Sequence, residues 1–395
     1  MRCFWWVFGL LGFLNGVWAA SPSILYLTWI GDPARSMAIH WQTGKEETDS
    51  RVLFRLEQGG SWKEQKGTFT QLSDTDYLAH LVKLEDLEPN CQYEFKIEGK
   101  EGSYRFQTMP GSLKRRVRFV VGGDAYSHLG LLRQMNALIA SQNPDFVVVG
   151  GDIAYAYGHS LLRRTKQGSI KRWREFLREW KTQMVTSQGM MIPMLAVVGN
   201  HDVRRKNKDG VFETLFAFSD SDTSYRAVDF GNYLSLVLLD TGHIHPIDGD
   251  QVEWLRQTLK AREHVPYMMA AYHMGGYPSV YSYEGSTPSR IRKCWSPLFE
   301  QYHLNLAFEH HNHAYKRTYP IKNNQIDAEG VVYLGDGSWG VSPRYVKNSK
   351  MWYLEKAKKI NAVCLITLDE KEGQMEALSI EGDRIDLMQI DARGV

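Results

Sequence analysis

The sequence has little cysteine. Only Cys3, Cys91, Cys294 and Cys364 occur among 395 residues, and no two of them stand at the short spacing of a structural zinc site. If the N-terminal segment is removed, three widely separated cysteines remain, and an odd number does not form a disulfide framework. The chain is therefore not organised around disulfides or a cysteine-based metal site.

The sequence also lacks an excess of either charge. It has 47 Lys and Arg against 45 Asp and Glu, a formal net charge of +2. This balance gives no indication of nucleic-acid binding or of a polybasic membrane-binding patch. With 43% apolar and 23% charged residues, the composition is that of a globular protein, and the length suits one large domain and a smaller one.

Long apolar runs are absent after the first twenty residues. In this later part of the sequence, no segment reaches the roughly eighteen apolar residues of a transmembrane helix. The N-terminus differs. Arg2 precedes an apolar run, and Ala19 and Ala20 offer a cleavage site. This pattern predicts a signal peptide over residues 1–20 and a secreted or periplasmic protein with no membrane span after cleavage. An uncleaved anchor is the alternative.

Residues 21–111 have the pattern of an all-β domain. Apolar and polar residues alternate over 37–41, 52–56 and 93–97, and turn residues separate these runs. The pattern resembles a fibronectin-type-III-like sandwich. His40 and His80 lie within such runs, and we expect them to be structural. A linker around residues 109–116 then leads to a second domain, residues 115–395.

In the second domain, strands alternate with helices, which predicts an α/β fold. Five of the predicted strands end in residues that can bind a metal ion. These residues are Asp124, Asp152 with Tyr155, Asn200 with His201, His273, and His311 with His313. Because ligands of α/β sheets lie beyond the carboxyl ends of the strands, we expect these side chains to converge.

The donor types indicate the metal. Oxygen and imidazole donors without thiolate suit iron, zinc or manganese. The donors are too many for one ion and about right for two, which a carboxylate can bridge at roughly 3.5–4 Å. Asp152 is the bridging candidate. If the segment from His311 to His313 is extended, both imidazoles point to one side.

The ordered motifs resemble those of the purple acid phosphatases, which are calcineurin-like metallophosphoesterases. They are Gly-Asp at Asp124, Gly-Asp-x-x-Tyr at Asp152 and Tyr155, Gly-Asn-His-Asp at Asn200 and His201, a strand-end His at His273, and His-x-His at His311 and His313. Plant-type members also carry an N-terminal β-sandwich. The resemblance therefore spans nearly all of the mature chain.

The resemblance implies a role for each ligand. Fe(III) would be held by Asp124, Tyr155 and His313. Asn200, His273 and His311 would hold a divalent ion. The candidates for this ion are iron, zinc and manganese. Asp152 would bridge the two ions. A metal-bound hydroxide would then attack phosphorus, and the Fe(III)–tyrosinate pair would give the colour of the family.

His201 does not fit as a ligand beside Asn200, so we expect it to contact a phosphate oxygen or to protonate the leaving group. The alternative is a structural histidine bonded to Asp202. The sequence departs from the family pattern in three places. Tyr126 ends the first motif, where many members have a glycine. His310 replaces a glycine, and residues 274–285 lack the histidine that plant-type members have there.

The segment Gly242-His243-Ile244-His245 also fits a Gly-His-x-His pattern. We do not interpret it as the metal pair, because it precedes His273 and lacks the tail that follows His313. His243 and His245 are instead predicted to line the mouth of the substrate site. His310 is a further candidate for substrate binding, and the alternative is that it packs behind the ligands.

These observations predict a phosphatase that acts on phosphate monoesters, either small molecules or phosphoproteins. One alternative is phosphodiester or nucleotide pyrophosphate cleavage at the same site. Another is a non-catalytic extracytoplasmic binding protein. The sequence gives no indication of the natural substrate, the oligomeric state or the role of the N-terminal domain.

Overall fold

A computed structural model describes residues 20–158, 166–204, 210–216, 223–335, 337–347 and 350–393. All of the predicted signal peptide except its last position lies outside the described residues. Within these ranges, no helix combines the length and the apolar character needed to cross a membrane.

The N-terminal part consists of two four-stranded antiparallel sheets. Its strands are β1 (Leu25–Thr28), β2 (Met37–Gly44), β3 (Arg51–Leu56), β4 (Lys63–Lys66), β5 (Thr68–Gln71), β6 (Tyr77–Leu84), β7 (Gln92–Ile97) and β8 (Tyr104–Gln107). One sheet has the order β1-β2-β6-β5 and the other β4-β3-β7-β8. Alternate residues of β6 and β7 are buried, and Val82 and Phe95 belong to the same core. The prediction of a β-sandwich is thereby confirmed.

The C-terminal part contains strands and helices in alternation over much of its length. The strands are β9 (Val117–Gly122), β10 (Phe146–Gly150), β11 (Met194–Val197), β12 (Arg226–Phe230), β13 (Leu234–Leu238), β14 (Tyr267–Met274), β15 (Leu306–His310), β16 (Tyr315–Thr318), β17 (Ile321–Lys322), β18 (Gln325–Ile326), β19 (Val332–Gly335), β20 (Leu354–Lys358), β21 (Ala362–Leu368), β22 (Gly373–Ser379) and β23 (Arg384–Ile390). The helices are α1 (Leu129–Ser141), α2 (Lys166–Gln183), α3 (Val211–Phe216), α4 (Asp250–Lys260), α5 (Ser286–Cys294) and α6 (Ser296–Gln301).

Two large sheets form the centre of this part. One has the order β11-β10-β9-β21-β22-β23, and the other has the order β12-β13-β14-β15-β19-β16-β20. Their facing sides share one apolar core, which includes Phe119 and Phe308. Helices α1 to α3 pack on the outer face of the first sheet, and α4 to α6 pack on the outer face of the second. The order helix, sheet, sheet, helix confirms the predicted α/β architecture.

The strand register brings the predicted site residues to one edge. Strands β9, β10 and β11 are parallel, with Val149 opposite Gly122 and Gly150 opposite Val197. In the second sheet, β14 and β15 are parallel and Met274 lies opposite His310. Within each sheet the carboxyl ends of these strands therefore lie together, which is where ligands of α/β sheets bind. The two sets of ends meet, because Asp124 and Asp152 from the first sheet lie close to His273 and His311 from the second.

Candidate metal centre

Side chains from four strand ends form a compact cluster. Asp124, Asp152, His273 and His311 each offer a ligand atom, and these atoms all lie within 4.8 Å of one another. Asp124, Asp152 and His273 are buried. The structure thus brings together residues that are far apart in the sequence, as the strand-end pattern predicts.

On one side of this cluster, three predicted ligands are in mutual contact. The phenol oxygen of Tyr155 lies 3.0 Å from Asp124 Oδ1 and 2.9 Å from His313 Nε2, and His313 Nε2 lies 3.0 Å from Asp124 Oδ1. Burial and the Asp124 carboxylate raise the pKa of the Tyr155 phenol well above its usual range. A phenolate would therefore form here only next to a strong positive charge.

On the other side, His273 directs one nitrogen at two oxygen atoms. Its Nδ1 lies 3.0 Å from Gly150 O, and because a carbonyl oxygen only accepts, this nitrogen carries the proton. Its Nε2 lies 3.1 Å from Asn200 Oδ1 and 3.4 Å from Asp152 Oδ1. In a neutral ring, Nε2 would point a lone pair at these oxygens, so a proton or a metal ion must stand between them.

The pKa values of the cluster residues are set by two opposing effects, burial and the charges of neighbouring groups. Burial lowers the pKa of His273, but Asp152 and Asp124 outweigh burial and raise it to about 10. Burial raises the pKa of Asp152, but His273 and His201 outweigh burial and lower it. Burial lowers the pKa of His311 to about 3, which keeps this imidazole neutral. Ionised carboxylates and a neutral imidazole are the forms that bind metal ions.

Two ligand atoms of the cluster are buried without hydrogen-bond partners among the described residues. They are Asp152 Oδ2 and His311 Nδ1. A buried polar atom without a partner usually costs about 1–3 kcal/mol. A cation bound to these atoms would remove that cost, so the residues present fit a metal centre.

The backbone at the strand ends is left-handed at five of the predicted ligands. The φ angles are 58° at Asp124, 50° at Asp152, 48° at Tyr155, 77° at His311 and 58° at His313. Such angles are uncommon for residues other than glycine, and they concentrate at functional sites. The segment from His311 to His313 is not extended, so the alternation expected for an extended segment does not apply. Strand β15 ends at His310, and both imidazoles reach the cluster from bends.

His310 lies behind the ligands rather than beside a substrate. The pleat sends Glu309 and His310 to opposite faces of β15, and His310 packs against Gly123 and Gly150. A Cβ atom at Gly150 would lie only 1.9 Å from the His310 ring. Because His310 is 1% exposed, it has no open path to a substrate, and the packing alternative replaces the prediction of substrate binding.

A cavity of about 470 Å³ adjoins the cluster, and Asn200, His201, Arg204, His243, Thr287 and His311 are among its lining residues. His201 Nδ1 donates a hydrogen bond to Tyr157 O at 2.6 Å, and its ring stacks on Tyr155. Its Nε2 lies 3.9 Å from Asp152 Oδ2. Asp202, the suggested structural partner of His201, accepts hydrogen bonds from Gly199 N and Ile153 N.

The turn after β13 separates the two histidines that were predicted to line the mouth. The buried Asp240 carboxylate accepts hydrogen bonds from the four backbone N–H groups of residues 242–245, at 2.7–3.0 Å. This turn places His243 in the cavity wall, with its ring 5.7 Å from that of His273. His245 instead contacts Ser224 and Tyr225 and is not among the residues of the cavity wall.

Several residues that support the site carry no local sequence signal. Asn312 accepts hydrogen bonds from Val280 N and Tyr281 N, Tyr281 stacks on His311, and Arg344 donates to the His311 and His313 carbonyl groups. Asn312 stands between two predicted ligands, which is the one hint that the sequence offers. Tyr281 and Arg344 belong to loops without periodicity.

Comparisons with known proteins agree with this geometry. Residues 22–109 match the family model for the purple acid phosphatase N-terminal domain, and residues 117–315 match the model for calcineurin-like phosphoesterases. Arabidopsis thaliana purple acid phosphatase 15 is 25% identical over 304 residues, which are 67% of this chain and 54% of that protein. Purple acid phosphatase 23 from the same plant is 24% identical over 370 residues, 80% of this chain and 77% of that protein. The chain thus spans little more than half of the first relative.

A solved structure shows the same fold. A purple acid phosphatase isolated from yellow lupin (Lupinus luteus) seeds matches with a TM-score of 0.80 and 18% sequence identity, over 94% of this chain and 74% of that one. The calcineurin-like model alone covers half of the chain, and the N-terminal domain model precedes it directly. The chain therefore belongs to the purple acid phosphatases, within the calcineurin-like phosphoesterases.

Proposed function

We propose that this protein is a metal-dependent phosphatase that hydrolyses phosphate monoesters at a centre of two metal ions. The observation that carries the proposal is the cluster itself. Four ligand atoms lie within 4.8 Å, and Asp152 Oδ2 and His311 Nδ1 are buried without hydrogen-bond partners among the described residues. A cluster with no bound cation would leave these costs uncompensated.

The contacts support a division of the ligands into two sets. Asp124, Tyr155 and His313 touch one another and would hold Fe(III), whose charge two carboxylates and a phenolate offset. Asn200, His273 and His311 would hold a divalent ion, for which a neutral amide suffices. Asp152 would serve both ions. Iron, zinc and manganese all suit the second set.

The bound ions would lower the pKa of a coordinated water and stabilise charge that develops on the phosphoryl oxygens. The residues of the chain would orient the substrate. His201 is oriented by its bond to Tyr157 O, and its ring lines the cavity, so we assign its Nε2 to a phosphate oxygen or to the leaving oxygen. His243 faces the same cavity from another strand end and would bind a second phosphate oxygen.

Hydrolysis of p-nitrophenyl phosphate and bis-p-nitrophenyl phosphate by the purified mature protein tests the proposal, together with elemental analysis. We expect about two metal ions per chain and a higher kcat/KM for the monoester. A preference for the diester would instead indicate a phosphodiesterase. Fewer than one ion per chain after reconstitution, with neither ester hydrolysed, would indicate a binding protein.

We also propose that the protein acts outside the cytoplasm. The support is the apolar segment that follows Arg2 and ends in Ala19 and Ala20. N-terminal sequencing of the protein from its producing cells should begin at Ala20 or Ser21. Recovery of the intact N-terminus in the membrane fraction would indicate the uncleaved anchor.

A further inference from the structure

The histidine loop, residues 311–313, has a backbone that its own residues do not favour. His311 and His313 have φ angles of 77° and 58°. Each non-glycine residue in this region costs on the order of 1–3 kcal/mol, and such a residue persists only when its surroundings hold it. Contacts from outside the histidine loop must therefore determine where the two imidazoles point.

Arg344 provides two of these contacts and also binds Tyr281. Its backbone N–H donates a hydrogen bond to His313 O at 2.7 Å. Its Nη1 donates to His311 O at 3.3 Å and to the phenol oxygen of Tyr281 at 2.5 Å. A single residue thus binds the carbonyl groups of both left-handed histidines. Because the direction of a carbonyl group depends on the backbone dihedral angles, these bonds fix both bends.

Tyr281 holds the His311 imidazole itself. The two rings stack with centroids 4.9 Å apart and an interplanar angle of 25°. The His273 ring meets the same imidazole edge-on at 5.0 Å. A ring held by two aromatic contacts cannot rotate freely. His311 Nδ1, which has no hydrogen-bond partner in the described part of the chain, therefore keeps a fixed direction.

Asn312 is the third residue that holds the histidine loop in place. It is 1% exposed, and its Oδ1 accepts hydrogen bonds from Val280 N at 2.8 Å and Tyr281 N at 3.0 Å. The side chain between the two histidines therefore binds the loop that carries Tyr281. Its Nδ2 also donates to His310 O at 3.3 Å. Asn312 thus attaches the histidine loop to the segment of Val280 and Tyr281, and Arg344 attaches it to another segment.

We propose that Arg344, Tyr281 and Asn312 form a clamp that positions His311 and His313 to bind metal. The inference rests on the proposed function, because it requires a metal centre. The three members of the clamp are positioning residues that act through the two histidines. Both side-chain hydrogen bonds of Arg344 come from the single nitrogen Nη1, whereas the bond to His313 O comes from the backbone N–H and is kept when the side chain is replaced. The planar guanidinium presents Nη1 in a fixed orientation, which the flexible ammonium group of lysine does not.

The test compares Zn²⁺ binding by wild type, Arg344→Ala, Arg344→Lys and Tyr281→Ala. The control is Tyr345→Ala, which changes an exposed neighbour of Arg344. The apparent Kd is measured by chelator competition, and Tm is measured with and without Zn²⁺. We expect Arg344→Ala to weaken binding about 10- to 100-fold, the usual effect of losing a partner of a metal ligand. Arg344→Lys should restore only part of the affinity, and Tyr345→Ala should match wild type.

The Tm values separate positioning from general stability. A positioning role predicts that metal-free Arg344→Ala melts near wild type, while its Zn²⁺-induced rise in Tm is smaller. An unchanged Kd would refute the clamp, as would a lower metal-free Tm with an unchanged Zn²⁺-induced rise. An unchanged Kd with a higher KM would place Arg344 on the substrate. If Arg344→Ala does not fold, the same comparison is made with Tyr281→Ala, which removes the ring that stacks on His311.

The wild-type measurement distinguishes this proposal from the one on which it rests. If wild type binds Zn²⁺ and the Arg344 and Tyr281 variants bind it equally well, the clamp is refuted and the phosphatase proposal stands. If wild type binds no Zn²⁺, Mn²⁺ or iron, both proposals fail.

Discussion

The phenol oxygen of Tyr155 lies 2.9 Å from His313 Nε2, although 158 positions separate the two residues in the chain. Tyr155 follows strand β10 of one central sheet, and His313 follows strand β15 of the other. Both also contact Asp124 Oδ1 at 3.0 Å. The two sheets thus meet at a single group of donors, and a bound ion would join them.

Replacement of Tyr155 by Phe should abolish the visible absorbance of the iron-loaded protein while much of the metal remains. Charge transfer from a phenolate to Fe(III) requires the phenol oxygen, whereas Asp124 and His313 would still hold the ion. The measurement is a visible spectrum with elemental analysis. A colourless wild type with iron bound would contradict the assignment, and so would a coloured Tyr155→Phe variant.

His201→Asn should lower kcat about 10²- to 10⁴-fold, the usual range for the loss of a proton donor, with little change in metal content. The His201 side chain faces the cavity and is not needed by either proposed ligand set. Steady-state kinetics with p-nitrophenyl phosphate and elemental analysis measure the two quantities. Loss of metal with loss of rate would show that His201 is a ligand after all.

His243→Ala should weaken inhibition by inorganic phosphate about tenfold or more, because a hydrogen bond to a charged group contributes about 1.5–3 kcal/mol. His245→Ala is the matched control, since the same Asp240 carboxylate holds both residues but His245 contacts Ser224. The inhibition constant of phosphate is measured for each variant. Equal effects of the two substitutions would remove His243 from the substrate site.

Gly150→Ala should destabilise the protein, because its Cβ would lie 1.9 Å from the buried His310 ring. His310→Ala should also destabilise, since removal of a large buried side chain leaves a cavity. The double variant should lose less than the sum of the two, because the smaller residue makes room for the methyl group. Urea unfolding of wild type, the two single variants and the double variant gives the coupling free energy. Additive losses would mean that the two residues do not share this space.

The stability of the protein should fall as the pH is lowered from about 6.5 towards about 4. His80 is buried among Trp41, Thr43 and Ser50, and burial lowers its pKa to about 4. Between this value and the unfolded pKa of about 6.5, the unfolded chain binds more protons, so acid favours unfolding.

The His80 effect can be isolated with His80→Asn, which should reduce the pH slope of the unfolding free energy by up to about 1.4 kcal/mol per pH unit. His264→Asn, at an exposed histidine, serves as the control and should leave the slope unchanged. The slope is measured by urea unfolding between about pH 4 and about pH 7, a range that spans the folded and unfolded pKa values of His80. An identical slope in His80→Asn and wild type would show that His80 is protonated in the folded state.

The sequence determined the sandwich, the α/β domain and the strand ends from which the donors come. Alternation in β7, the valines of β10 and the residue types that follow each strand are local properties. Parallel strands place their carboxyl ends together whatever the rest of the chain does. For that reason Asp124 and Asp152 could be expected at one edge before any distance was known, whereas His273 belongs to the other sheet and reaches that edge through the packing of the two sheets.

Only the tertiary structure decided the direction of the side chains beyond those strand ends. His310 turned inward because Gly123 and Gly150 leave space for its ring, and His243 and His245 were separated by the four hydrogen bonds to Asp240. The bends at His311 and His313 depend on Arg344, which no local pattern connects to them. A strand end determines where a loop begins, but contacts with distant segments determine the dihedral angles within that loop.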